Sequence, residues 1–189
     1  MAGGPRPLNA FDGTAPLWTD GNVYYTFSNN VSAAHQKAFL DGAGEWAAFA
    51  HLHFIPRTIQ SNYVTVVENT EIEGGFSTVG MVGGQQFLDI GPTSWNRATI
   101  CHELGHTLGL VHEHQRSDRD SYVTILTNNI APGQEGNFVK LTDSRNTGPY
   151  DFLSVMHYAR NSLSISNNLD TIEPLPAYSQ YLDVMGQIV

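Results

Sequence analysis

Residues 99–114 read T-I-C-H-E-L-G-H-T-L-G-L-V-H-E-H, and no other stretch restricts the fold of this chain as much. His102 and His106 stand four positions apart. On a helix that spacing puts both imidazoles on one face, one turn above the other, as a single Zn²⁺ needs in order to bind two ring nitrogens. Glu103 lies between them and points beside the metal. Gly109 follows His106 by three residues, and His112 follows Gly109 by three. A helix that stops at a glycine with φ > 0 therefore swings the chain back and delivers a third imidazole. Three protein ligands leave one coordination position open, which distinguishes a catalytic zinc from a closed structural one. The pattern predicts one Zn²⁺ per chain on His102, His106 and His112, with Glu103 as general base.

The rest of the chain has to supply a scaffold for that helix. At 189 residues and 41% hydrophobic content it can bury one core, or two small lobes, and is too short for two large independent domains. The formal net charge of −9, with nine Lys and Arg that do not cluster, argues against a nucleic-acid partner or an anionic membrane surface. No transmembrane segment is visible, and residues 1–17 lack the apolar run of a signal peptide. Cys101 is the single cysteine, so no disulfide can form within the chain. A neighbour of His102, its side chain is rotated about 100° away from that residue's and reads as an inward-packed free thiol.

Residues 1–17 are rich in Pro and Gly and read as an extended N-terminal segment. A first strand is expected at 23–27. Residues 32–50 follow as a long amphipathic helix with Ala38, Phe39, Gly42, Trp46 and Phe49 on one face, its glycines close to a neighbouring strand. Further strands are expected at about 52–56, 63–68 and 86–90. The motif helix should begin with Ser94 as N-cap, end at Gly109, and face its sheet with Ile100, Leu104 and Leu108. His35, His51 and His53 read as surface or packing residues. From about residue 114 onward Asn, Pro and Gly interrupt every periodicity, as in a region built mostly of loops.

A second motif, S-V-M-H-Y at 154–158, places Met156 where an apolar floor beneath the metal would sit. Together with Glu113 directly after His112, and Tyr158 two residues after Met156, it makes the chain resemble the astacin family of metzincin zinc metallopeptidases. The resemblance also covers L-W-T-D-G-N-V-Y-Y-T-F, F-I-P-R at 54–57, V-G-G-Q at 82–85, D-R-D-S-Y-V at 118–123 and V-M-G-Q. It implies an α+β, two-lobed fold. The upper lobe, about 18–109, would be a twisted, mostly parallel sheet with an antiparallel edge strand and two long helices; the lower lobe, about 110–189, would be irregular and carry a Met-turn. Related proteins continue into a C-terminal helix, so either this protein lacks that helix or the sequence stops short of it. The family's disulfides are also missing, their first cysteine positions falling at His51 and Gly75.

The same resemblance implies a secreted metalloendopeptidase, expected to be a monomer acting on peptides or proteins. It makes Tyr158 a resting-state fifth zinc ligand that later donates to the oxyanion, and Met156 and Glu113 structural residues. Glu113 would meet the ammonium of a processed N-terminus; read on its own, it is a solvated acidic residue. The edge strand at 75–82, with Gly75, Phe76, Ser77, Thr78 and Val79, would bind substrate as an added antiparallel strand. Leu175 would line the pocket after the scissile bond. Residues 1–17 would be a short prosegment whose Asp12, in F-D-G, occupies the water's place on zinc in a latent form. His114 and His157 are not expected to be ligands. Two other functions stay open: a zinc hydrolase of non-peptide amides or esters, and a non-catalytic peptide-binding module.

Overall fold

The computed structural model describes residues 10, 11 and 13–186. Asp12 and residues 1–9 and 187–189 lie outside the described residues, and with them the expected latch. In chain order the strands are β1 (Ala10–Phe11), β2 (Asn22–Phe27), β3 (His53–Pro56), β4 (Tyr63–Glu68), β5 (Gly75–Ser77), β6 (Gln85–Ile90), β7 (Val123–Ile125), β8 (Arg145–Asn146) and β9 (Ile172–Pro174). The α-helices are α1 (Ala33–Phe49) and α2 (Arg97–Thr107). Of the described residues, Thr14–Leu110 form one compact unit, and Ala10, Phe11 and Gly13 together with the residues from Val111 onward form the other.

The first unit is a five-stranded sheet in the order β3-β2-β4-β6-β5. β3, β2, β4 and β6 run parallel, while β5 pairs antiparallel with β6, placing Gly75 opposite Ile90, Phe76 opposite Asp89 and Ser77 opposite Leu88. Alternation along the strands sends Val23 and Tyr25, Val64 and Val66, and Leu88 and Ile90 to one face. There they meet Phe39 and Ala43 of α1, and Ile100 and Leu104 of α2 with Leu108 at its end. Each of these larger aliphatic side chains contributes about 1.5–3 kcal/mol by leaving water.

Three expectations for this unit change. Ser32 does cap α1, accepting from the His35 N–H, but Phe49 at the other end is 64% exposed because the covered face ends a turn earlier. Gly42 approaches a helix rather than a strand: a Cβ there would lie 2.7 Å from Cγ2 of Ile100. Gly44 has nothing within 4 Å. The N-cap of α2 is Asn96, whose Oδ1 accepts from the Thr99 N–H at 3.1 Å, because the hydroxyl of Ser94 is taken by the Gly74 N–H at 2.9 Å.

The second unit has little regular structure. β1 pairs with β8 and β7 with β9, both antiparallel, and short 3₁₀ turns such as Glu113–Gln115 and Pro176–Tyr181 connect them. Its core gathers Val123, Ile130, Phe138, Tyr150, Phe152, Ile172 and Met185. Aromatic stacking supplies much of the order: Tyr122 lies flat on Tyr150 at 4.6 Å, and Phe152 on Tyr181 at 4.4 Å.

Candidate metal centre

α2 ends in a Schellman motif. The Gly109 N–H donates to the His106 carbonyl at 2.8 Å and the Leu110 N–H to the Gly105 carbonyl at 2.9 Å, with Gly109 at φ +99°. A side chain with a Cβ would be strained there, so glycine is what lets the chain leave the helix and reach His112. The expected turn is present. His102, His106 and His112 each offer one ring nitrogen, and these atoms all lie within 4.8 Å of one another. Three imidazoles in one place are a donor set suited to zinc.

The ring nitrogens facing the protein fix the tautomers. Nδ1 of His106 is 2.9 Å from the Leu110 carbonyl, and Nδ1 of His112 is 3.1 Å from Oε1 of Gln115. Both partners only accept, so each Nδ1 carries the proton and each Nε2 keeps its lone pair for a metal. Burial, reinforced by the proximity of His102, pushes the pKa of His106 down to about 4, so this ring is neutral at pH 7. Gln115 escapes the sequence reading. Its one signal is a position three residues after the third histidine, where an amide can reach back to the ring.

Glu103 is 4% exposed, and burial by itself pushes its pKa up to about 8, a shift that the charge of a bound cation would oppose, keeping the carboxylate form. Its Oε2 is buried without a hydrogen-bond partner among the described residues. A buried polar atom left that way marks a place where a water or an ion belongs. That orphan oxygen, beside a three-imidazole group, shows that the residues present fit a catalytic metal and its water.

Behind His112 the chain is fastened by Glu113, and of its two sequence readings the solvated acidic residue is the one corrected. Glu113 is 1% exposed, not solvated. Its Oε1 accepts from Arg116 Nη1 at 3.0 Å and from the Asp151 N–H at 2.9 Å. Burial pushes its pKa up, while the Asp151 amide and the Arg116 guanidinium pull it back. The Glu113 N–H donates to the Met156 carbonyl at 2.9 Å, tying this stretch to S-V-M-H-Y. Arg116, also 1% exposed, forks onto Asp118 at 2.9 and 2.8 Å and reaches the Gly148 and Pro149 carbonyls. Sequence reasoning passes over it, although acidic residues three before and two after are visible.

Met156 is buried, and the ring of Tyr158 lies 4.6 Å from that of His112 and 4.3 Å from that of His114. His114 and His157 are outside the metal group, as expected. Nε2 of His114 donates to the Asn137 carbonyl at 2.9 Å. His157 donates from Nδ1 to the Tyr158 carbonyl at 2.7 Å and accepts at Nε2 from the Tyr150 hydroxyl at 2.8 Å.

The edge strand is shorter than expected. It ends at Ser77, so Thr78 and Val79 lie beyond it, and Ser77 turns inward to hydrogen-bond Thr107 at 2.8 Å. Phe76 is 61% exposed. Leu175 follows β9, its N–H donating to the Tyr122 carbonyl at 2.8 Å. Cys101 is 7% exposed, and burial pushes its thiol to about 11.

Comparisons with known proteins agree with this geometry. The model of the peptidase family Astacin matches residues 11–189. Bone morphogenetic protein 1 of Xenopus laevis is 39% identical over 162 residues, covering 84% of this chain and 23% of that protein. Zinc metalloproteinase nas-39 of Caenorhabditis elegans is 39% identical over 179 residues, covering 92% of this chain and 19% of that one. The chain thus spans about a fifth of the length of the curated relatives it matches. Among solved structures, high choriolytic enzyme 1, a hatching enzyme zinc-protease from Oryzias latipes, superposes with a TM-score of 0.80 at 33% identity, covering 90% of this chain and 84% of that one. Myroilysin, at a TM-score of 0.57 and 20% identity, shares the fold. Matched by the family model along nearly its whole length, the chain belongs to the astacin family of zinc metalloendopeptidases.

Proposed function

We propose that this chain is a zinc-dependent endopeptidase in which Glu103 is the general base and Tyr158 the oxyanion donor. The observation that carries the reading is the pairing, on one helix, of two imidazoles of the three-histidine group with a buried carboxyl whose Oε2 has no partner among the described residues. Bound zinc supplies a lowered water pKa, toward about 7, and polarises the scissile carbonyl. Glu103 takes the water's proton on its carboxylate and hands it to the leaving amine. His106 and His112, held through Nδ1, keep their Nε2 lone pairs for the metal. Tyr158, whose ring lies 4.6 Å from that of His112, would join the three histidines in holding the metal at rest and would donate a hydrogen bond from its phenol to the oxyanion, an interaction worth a few kcal/mol.

The open edge of β5 offers main-chain groups to an extended peptide, which favours polypeptides over small amides or esters. Leu175, an apolar wall, selects small or apolar residues after the scissile bond. The net charge of −9, with no cluster of Lys and Arg, favours peptide or protein substrates over nucleic-acid or membrane partners, and membership of the family favours a secreted monomer. None of the described helices is long and apolar enough to cross a membrane. A latent form with Asp12 on the metal predicts that Asp12→Ala is active from the first minute while the full chain lags.

The test combines metal analysis with cleavage of a denatured protein such as gelatin. One zinc per chain is expected, with activity abolished by a zinc chelator. Glu103→Ala should lose more than about 10³-fold in rate with zinc retained, and Tyr158→Phe less, mainly in kcat. Zinc-loaded protein that binds peptides but never cuts them would make it a binding module instead.

A further inference from the structure

We propose that His51 and His53 form a second metal site, a surface pair that takes one divalent transition-metal ion of the kind imidazole favours, Cu²⁺, Ni²⁺ or Zn²⁺. Of the eight histidines in the chain, these two are the exposed ones. Their ring centroids lie 4.7 Å apart with an interplanar angle of 84°. His102 and His106, the helix-borne rings of the three-histidine group, lie 4.7 Å apart at 86°. A two-residue spacing at the surface thus repeats the ring placement that α2 achieves with a four-residue one, because alternate residues of an extended chain share a face.

The backbone holds the pair in place. His53 opens β3 opposite Asn22 of β2, and the His51 carbonyl lies so close to Gly21 that a Cβ there would be 2.1 Å from its oxygen. Phe54 turns inward to the core, so His53 faces the side of the sheet away from the helices. Among the described residues neither ring makes a hydrogen bond or an ion pair, which leaves a nitrogen of each for a shared ion. His35 differs: it lies 2.8 Å from Oε2 of Glu68 and stacks on Trp95. Imidazole pairs bind Ni²⁺, Cu²⁺ and Zn²⁺, with Cu²⁺ the strongest, and discriminate against Ca²⁺ and Mg²⁺, which prefer oxygen. Closing a second tethered donor on one ion raises affinity over a single imidazole by about 10²–10⁴. With two donors against three, the pair fills after the three-histidine group, so limiting zinc leaves it for a second ion. The two sites are independent. β3 and β5 are opposite edges of the sheet, four strand spacings or roughly 19 Å apart, and it is β5 that is tied to α2 through Ser77 and Thr107.

The experiment uses Ni²⁺ alone as the probe, titrated by calorimetry into the full chain already carrying one zinc, with zinc content followed throughout. The parent is expected to take up one Ni²⁺ per chain and keep its zinc. His51→Ala and His53→Ala should each weaken uptake by about 10²-fold, whereas His35→Ala changes nothing and Ca²⁺ gives no heat in any of them. Cu²⁺ supplies a spectroscopic signature: its electron paramagnetic resonance spectrum shows two coordinated nitrogens in the parent and one in either variant. Zinc content and peptide cleavage at one zinc per chain stay at the parent level in both variants, since the exchanged side chains are exposed and remote from α2. Three results overturn the site. A parent that takes up no second ion reduces the pair to a ring contact. Single variants that keep the parent's affinity show two independent imidazoles rather than one shared ion. Nickel that enters as zinc leaves, or that still binds when both histidines are replaced, is held elsewhere.

Discussion

Between Thr14 and Leu110, position is set by regular ladders: parallel strands fix one another, two helices lie on one face of the sheet, and His102 and His106 ride on the second helix. From Val111 onward, position is set by side chains that reach across loops, with Arg116 bridging two carboxylates and two carbonyls, and with His114 and His157 using their ring nitrogens inside the fold. The first kind of order is distributed, so that losing one aliphatic contact costs that contact and its cavity. The second is concentrated, because removing one partner leaves a buried charge or lone pair with nothing to meet it.

The largest effect should come where the concentration is greatest. Arg116→Met, which leaves Glu113 buried without its guanidinium, is expected to lose about 3–5 kcal/mol, and Arg116→Lys most of that, since an ammonium lacks the planar fork. Adding Glu113→Gln to Arg116→Met should recover part of the loss. Urea unfolding of metal-free protein measures all three, and an Arg116→Lys variant as stable as the parent would break the comparison.

A somewhat smaller effect sharpens it through pH. Burial lowers the pKa of His157 from 6.5 to about 4, so the folded state holds this ring neutral while the unfolded chain protonates it. The associated stability is fully present above pH 6.5 and disappears as pH falls toward 4, amounting to about 3 kcal/mol. His157→Asn is expected to be weaker at pH 8 but to lose less between pH 6.5 and 4 than the parent. Parallel pH curves for the two metal-free proteins would show that another group carries the acid lability.

The smallest effects belong to the regular unit, and they have opposite signs. Gly44→Ala, with open space around it, should stabilise α1 by about 0.5–1 kcal/mol. Gly42→Ala, which drives a methyl into Ile100, should destabilise by about 1–3 kcal/mol. Melting temperatures of the two variants decide it, and the same sign for both would mean that the helices can separate without penalty.

The same contrast explains what can be read from the sequence. β4 and the extent of α1 are legible because alternation and helical spacing are local, and so is Gly109, whose role follows from a helix that must end before the third histidine of the motif. The cap of α2 is not, because Ser94 and Asn96 are both good caps, and only the distant Gly74 N–H decides between them. Phe49 misleads because helical spacing says which face is apolar but not how far the covering layer extends. Glu113 misleads because its surroundings come from Arg116 nearby and from Asp151, and the arginine's own carbonyls come from Gly148 and Pro149, more than thirty residues away. No periodicity marks such a network. His102, His106 and His112 are legible because three imidazoles that could hold one metal need a fixed spacing, and here they are close in the chain.

Cys101 has a use that follows from where it is packed. Its sulfur would lie 3.6 Å from a Cβ on Gly42, so it sits in the seam between α1 and α2, one residue before His102. A thiol-labelling reagent reaches it only when that seam opens. Labelling in native conditions therefore proceeds at the intrinsic rate multiplied by the fraction of molecules open there, and converts directly into the free energy of that opening. The chain carries its own clock for local breathing at the helix that presents two of the three clustered histidines, with no second cysteine to blur the reading.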